Sequence, residues 1–104
     1  MSDIPVGAHV SGDDPLGIAA ELEADCVQVF LSNPQGWEKP PPREDAAELR
    51  DSPIGLYVHA PYLINVCSPK PNVRYGSRKI LQQTCEAAAD VGAIAVIVLS
   101  LIHI

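Results

Sequence analysis

His9 and His59 each close an apolar run rich in valine and isoleucine. A neutral imidazole at a strand end can ligate zinc, or move a proton near neutral pH. A lone strand-end histidine is ordinarily a hydrogen-bonded structural residue, but two at equivalent ends of parallel strands would open onto one face. A second cluster is Asn33-Pro34-Gln35-Gly36-Trp37, where planar amides stand beside the only tryptophan. Such a loop can hydrogen-bond base edges or sugars and stack on a flat group, or it can pack onto its own scaffold. The third stretch is HAPYLINVCSP, His59 to Pro69. Its Tyr62 and Asn65 could reach a phosphate, and Ser68, Lys70 and Arg74 follow. No glycine-rich phosphate loop, Ser-His-Asp arrangement or HExxH is present. No acid closes an apolar run, so a glycosidase carboxylate pair has no candidates.

The elements that must position these residues follow from periodicity. Ile4–Val10, Cys26–Leu31, Ile54–His59 and Ile94–Leu101 read as buried strands. Helical patterns separate them. One spans Pro15 to Ala24, with Asp13 or Asp14 as N-cap and Pro15 in the first turn. A short one spans Arg43 to Arg50, after Pro40-Pro41-Pro42. In the third, Ile80, Thr84, Ala87, Ala88 and Val91 recur at helical spacing, and Gly92 sits at C′. The order is β-α-β-α-β-α-β, and near-continuous apolar strands predict a parallel α/β sheet. The long loops, Ser32–Pro42 and Ala60–Asn72, both follow C-terminal strand ends, where such proteins place their sites.

The chain has 104 residues, 47% of them hydrophobic and 19% charged, which excludes a disordered chain. No apolar run is long enough to span a membrane, and no basic-then-apolar leader opens the sequence. Cys26, Cys67 and Cys85 are odd in number and widely spaced. This predicts no disulfide framework or zinc finger, but small buried thiols in a reducing cytoplasm. The net charge of −6 disfavours nucleic acid only on average, because all seven bases fall between Lys39 and Lys79. No acid stands between Ala60 and Tyr75.

GAHVSG at 7–12, QVFLSNPQGW at 28–37, HAPYLINVCSP at 59–69 and GAIAVIV at 92–98 together resemble endonuclease IV. That family, AP endonuclease family 2, comprises zinc-dependent apurinic/apyrimidinic endonucleases on an xylose-isomerase-like TIM (β/α)8 barrel. The resemblance covers residues 4 to about 98, the first third to two-fifths of a barrel of roughly 250 residues. It implies that His59 is a zinc ligand and that Tyr62 lines the DNA pocket. Gln35, Gly36 and Trp37 fall on the loop that enters the minor groove. The family often has arginine where this chain has Gln35, which weakens the electrostatic part of that contact. His9 lines the site without a metal, and Asn33 and Asn65 join it as site-lining residues.

The implied activity is DNA repair: metal-dependent hydrolysis of the phosphodiester 5′ of an abasic site in duplex DNA. Zinc ions would generate the hydroxide and neutralise developing charge. The implied parent is monomeric and cytoplasmic. One departure stands out. After GAIAVIV the family continues with a histidine that is a second metal ligand, whereas this chain has Leu99. His103, four residues on, shares its parity.

The expectation is one partial barrel domain over 1–104, family-like to 98 with an apolar tail from 99 to 104, truncated and inactive alone. No complete catalytic set is expected in it. Two rivals remain. One is a xylose-isomerase-like sugar isomerase or epimerase, which needs a closed pocket with acids. The other is a non-functional fragment with two open sheet edges. Two geometric expectations follow. His9, Gln35, Trp37, His59 and Tyr62 should cluster at the C-terminal ends of the strands. Val29, Val58 and Val96 should lie exposed on an interior face.

Overall fold

The computed structural model describes residues 4–99. The elements alternate as expected: β1 (Gly7–His9), α1 (Pro15–Leu22), β2 (Cys26–Val29), α2 (Ala46–Asp51), β3 (Gly55–His59), α3 (Pro71–Asp90) and β4 (Ala95–Ile97). The strands form one parallel sheet in the order β1-β2-β3-β4. Parallel neighbours in sequence order, each joined by a helix, are the repeating unit of a TIM barrel. His9 pairs with Gln28, Val29 with Val58, and His59 with Ile97, so the strand ends are aligned.

The helix boundaries have local causes. Asp14 caps α1, its Oδ1 accepting from the Gly17 N–H at 3.2 Å, and Pro15 occupies the first turn. The helix ends where Glu23 takes φ 53° and the Ala24 N–H donates back to the Ala19 carbonyl. At the end of α3, Gly92 takes φ 72°. There the Ala93 and Gly92 N–H groups donate to the Ala88 and Ala89 carbonyls, a Schellman closure. The short helix begins at Ala46 rather than Arg43. Arg43 instead grips Asp45 with two bonds, 2.7 and 2.9 Å, outside the first turn.

Strand alternation decides what is buried, and it reverses one expectation. Val29 is 1% exposed and Val58 0%, because they share a face with Val27 and Leu56 under the helices. There they pack with Ala19, Leu49, Ala88 and Val91. Val96, the partner of Val58, also packs against this core. The residues of opposite parity carry the barrel-interior face: His9, Gln28, Tyr57, His59 and Ile97. Continuous apolar runs hide this choice, since both parities are apolar enough to be core. A smaller cluster of Ala60, Ile64 and Ile80 seats the loop after β3 on α3.

The cysteines also differ from expectation. All three are free thiols, but Cys26 is only half-buried, and Cys67 and Cys85 are exposed on a loop and on α3. Leu99 is half exposed, and His103 lies outside the described residues. No helix among the described residues is long and apolar enough to cross a membrane.

Candidate strand-end site

The interior-facing ends of β1, β2 and β3 carry His9, Phe30 just past β2, and His59, and the following loop adds Tyr62. Phe30 is the hub. Its ring centroid lies 5.0 Å from those of both His9 and His59 and 5.3 Å from that of Tyr62. His59 and Tyr62 are 5.4 Å apart at a near-perpendicular tilt. Edge-to-face rings at these distances attract one another beyond the area they bury. The aligned register that pairs His9 with Gln28 and Val29 with Val58 brings the group together.

Each histidine has a defined partner. His59, 8% exposed, donates Nδ1–H to the Ala60 carbonyl at 2.6 Å, since a carbonyl can only accept. Its Nε2 therefore keeps the free lone pair, the tautomer in which ligating histidines are commonly held. His9 is exposed, and its Nδ1 accepts from the Gln28 Nε2 amide at 3.0 Å, which puts its own proton on Nε2.

The two long loops meet at this end, where the Tyr62 N–H donates to the Pro34 carbonyl at 2.8 Å. Gln35 is exposed on that turn, and its N–H donates to Asn33 Oδ1 at 3.0 Å. The Gly36 N–H donates to the Asn33 carbonyl. Asn33 thus shapes the turn that presents Gln35. Asn65 does the same for its own loop: its Oδ1 accepts from the Cys67 N–H, and its N–H donates to Ser77 Oγ. Its amide oxygen is engaged locally rather than aimed at the rings. Trp37 stands apart from the ring cluster, over α3 at Gly76, where an added Cβ would meet its Cζ3 at 3.8 Å. The structure therefore joins His9, His59 and Tyr62, puts Gln35 on the adjoining turn, and turns Trp37 toward the helix.

The sequence reading missed Phe30 and Gln28. The available signal was parity. Both lie an even number of residues from Cys26 on the face opposite Val27 and Val29, and Phe30 is the only phenylalanine.

A zinc site is fitted only in part. His59 has a tautomer that suits a ligand, but no group of three or more His, Cys, Asp or Glu converges among the described residues. Leu99, two residues beyond Ile97, has no donor atom. The described residues do not fit a zinc ion by themselves. What they provide is an aromatic, edge-rich surface with one free imidazole nitrogen and an exposed amide beside it.

Comparison with known proteins bears on this geometry. The chain is 60% identical over 93 residues to a probable endonuclease 4 of Mycobacterium marinum, and 61% identical over 94 residues to that of Mycobacterium leprae. These matches cover 89% of this chain and 37% of each relative, so the chain spans little more than a third of their length. Among solved structures, endonuclease IV from Thermus thermophilus superposes with a TM-score of 0.80 at 23% identity. That match covers 91% of this chain and 39% of the other, and it speaks for the fold. A second Thermus thermophilus protein, TTHB071 soaked with zinc chloride, superposes at 0.67 with 24% identity. Residues 16–103 match the sequence family described as xylose isomerase-like TIM barrels, and on that match the chain belongs to this family.

Proposed function

We propose that this chain supplies the first four strands, and part of the abasic-site pocket, of an endonuclease IV-type DNA-repair enzyme. The enzyme would hydrolyse the phosphodiester 5′ of an abasic site in duplex DNA. The observation that carries the reading is the His59 tautomer, with Nδ1–H held by the Ala60 carbonyl and Nε2 free within the Phe30–Tyr62 ring cluster. In this reading His59 Nε2 is a zinc ligand, and zinc, when bound, would supply the activated water. The other ligands would come from outside the described residues. Tyr62 and Phe30 offer ring faces and edges to an exposed deoxyribose or an unstacked neighbouring base. Gln35 and Gly36, on the loop whose Trp37 stands over α3, approach the minor groove, with Asn33 and Asn65 holding the loops, and His9, oriented by Gln28, lines the pocket. Three free thiols agree with a cytoplasmic setting. The whole protein is read as a monomer, with residues 1–98 as barrel and 99–104 as an apolar tail. A sugar-isomerase reading lacks support in the ring cluster, where no carboxylate stands.

The test is a chimera in which residues 4–98 replace the matching segment of the Mycobacterium marinum relative. Metal-dependent nicking of an abasic-site duplex is expected, with loss of at least about a hundredfold in His59→Ala. A folded chimera that leaves the duplex intact, or one indifferent to His59→Ala, would sink the proposal. The 104-residue chain alone is expected not to nick.

A further inference from the structure

The seven basic side chains divide into two groups. Arg43 is committed to Asp45, and Arg50 donates to the Asp90 carbonyl at 2.7 Å. Lys39, Lys70, Arg74, Arg78 and Lys79 form no ion pair among the described residues. No acid occurs between Asp51 and Glu86, so the first half of α3 is uniformly positive in a chain of net charge −6. Arg74 and Arg78 lie over the ring of Tyr75, at 5.1 and 5.5 Å from its centroid. The ring holds both guanidinium groups while it stays 59% exposed. Arg74 is also tied down through Nη1, which donates to the Ser68 carbonyl at 3.1 Å. Beside this face runs a groove of about 480 Å³ walled by Trp37, Lys39, Asn72, Gly76, Lys79 and Ile80. Glu38, next to Trp37 in the chain, does not line it.

Like charges gathered without carboxylates repel one another, and beyond the Tyr75 ring and the Ser68 carbonyl no ion pair among the described residues offsets that cost. From Lys70, the N-cap of α3, to Arg78 is eight residue steps, or about 12 Å along the helix axis. That is the length of about three to four successive phosphates on one strand of duplex DNA. The stretch begins where α3 leaves the loop that carries Tyr62, and Trp37 joins its groove to the Gln35 turn.

We propose that Lys70–Lys79 of α3, with the Trp37–Lys39 groove, is a phosphate-tracking surface that holds duplex DNA on one side of the strand-end site. This rests on the reading of that site as a DNA pocket, and it adds sequence- and lesion-independent affinity to it. The partner is duplex DNA rather than an acidic protein, because Lys70, Arg74 and Arg78 recur at helical spacing and two of these cations are held on an exposed aromatic ring.

The experiment measures binding of the full chain to intact and abasic-site duplexes by fluorescence anisotropy over a range of salt. Lys70→Gln/Arg78→Gln/Lys79→Gln should weaken both duplexes by the same factor, about tenfold or more at low salt, and lower the salt slope by about 2 to 3. Arg50→Gln, with one charge removed outside the surface, should leave the slope unchanged, and circular dichroism should show all variants folded. Tyr62→Ala should instead reduce only the preference for the abasic duplex. An unchanged slope in the folded triple variant would overturn the proposal, as would equal binding of polyglutamate and duplex DNA. A normal slope loss without any abasic preference in the parent chain would support the α3 surface and sink the strand-end reading.

Discussion

Phe30 bridges two histidines and a tyrosine that arrive from three different parts of the chain, so its loss should be felt at all of them. Phe30→Ala is expected to cost about 2 to 3 kcal/mol, somewhat below the value for a fully enclosed phenylalanine, as measured by urea denaturation. The same variant should weaken any preference for an abasic duplex, whereas Phe30→Leu should recover most of the stability and little of the preference. Glu23 offers the opposite case. It holds φ 53°, a conformation costing a side chain about 1 kcal/mol that glycine does not incur. Glu23→Gly should raise stability by about 0.5 to 1 kcal/mol. A lower thermal midpoint in that variant would mean that the left-handed turn is not what limits this helix end.

Elements are placed here by their ends. Gly7 lets β1 approach β2, since a Cβ there would stand 1.8 Å from the Cys26 carbonyl oxygen. The tripeptide β1 is thus held close enough for His9 to meet Gln28. The entry to α2 depends on the Arg43–Asp45 pair. The hydrogen bonds from Arg43 hold the Asp45 carboxyl below the ordinary carboxylate range, and those same bonds keep the Arg43 guanidinium raised. Because the folded-state value of Asp45 is depressed, its contribution is fully present above the unfolded carboxylate range. It is lost as pH falls through the lower folded value. The pair is partly exposed, so it is worth no more than about 1 kcal/mol. Asp45→Asn should therefore be destabilising by up to that amount at neutral pH, and the difference should shrink at an acid pH below the ordinary carboxylate range. Denaturation curves at both pH values would show it.

At the scale of the whole molecule, helices cover one face of the sheet, and the described residues provide no such layer over the other. Tyr57, Ile97 and the ring cluster lie on that second face, and β1 and β4 are its hydrogen-bonding edges. Parallel edges left unpaired template further pairing. Sedimentation of the 104-residue chain should accordingly show concentration-dependent association, and a strictly monomeric chain at high concentration would count against this. Metal binding should also stop short. One imidazole is far from the three or four ligands that zinc normally takes. Calorimetry is expected to give weak zinc binding that weakens further in His59→Ala and strengthens only modestly in Leu99→His. Tight binding by the parent chain would show that association assembles a ligand set.

The sequence by itself determined the alternation of elements, an aspartate cap at Asp13 or Asp14, the glycine stop at Gly92, and the placing of His9, His59 and the two loops at one end of the sheet. Those features are local: apolar runs set strands, capping chemistry ends helices, and consecutive parallel strands put equivalent ends together. The parity of each strand was decided only in three dimensions. When both faces are apolar, which one the helices cover depends on packing against Ala19, Leu49 and Ala88, and that choice buried Val29 and Val58 and turned Phe30 toward the histidines. Trp37 likewise stands over Gly76, 39 positions further along the chain, a juxtaposition that only the packing of the loop on α3 creates. Even the cysteines followed this rule, since Cys67 and Cys85 were placed outside by a loop and a helix face that no spacing between thiols encodes.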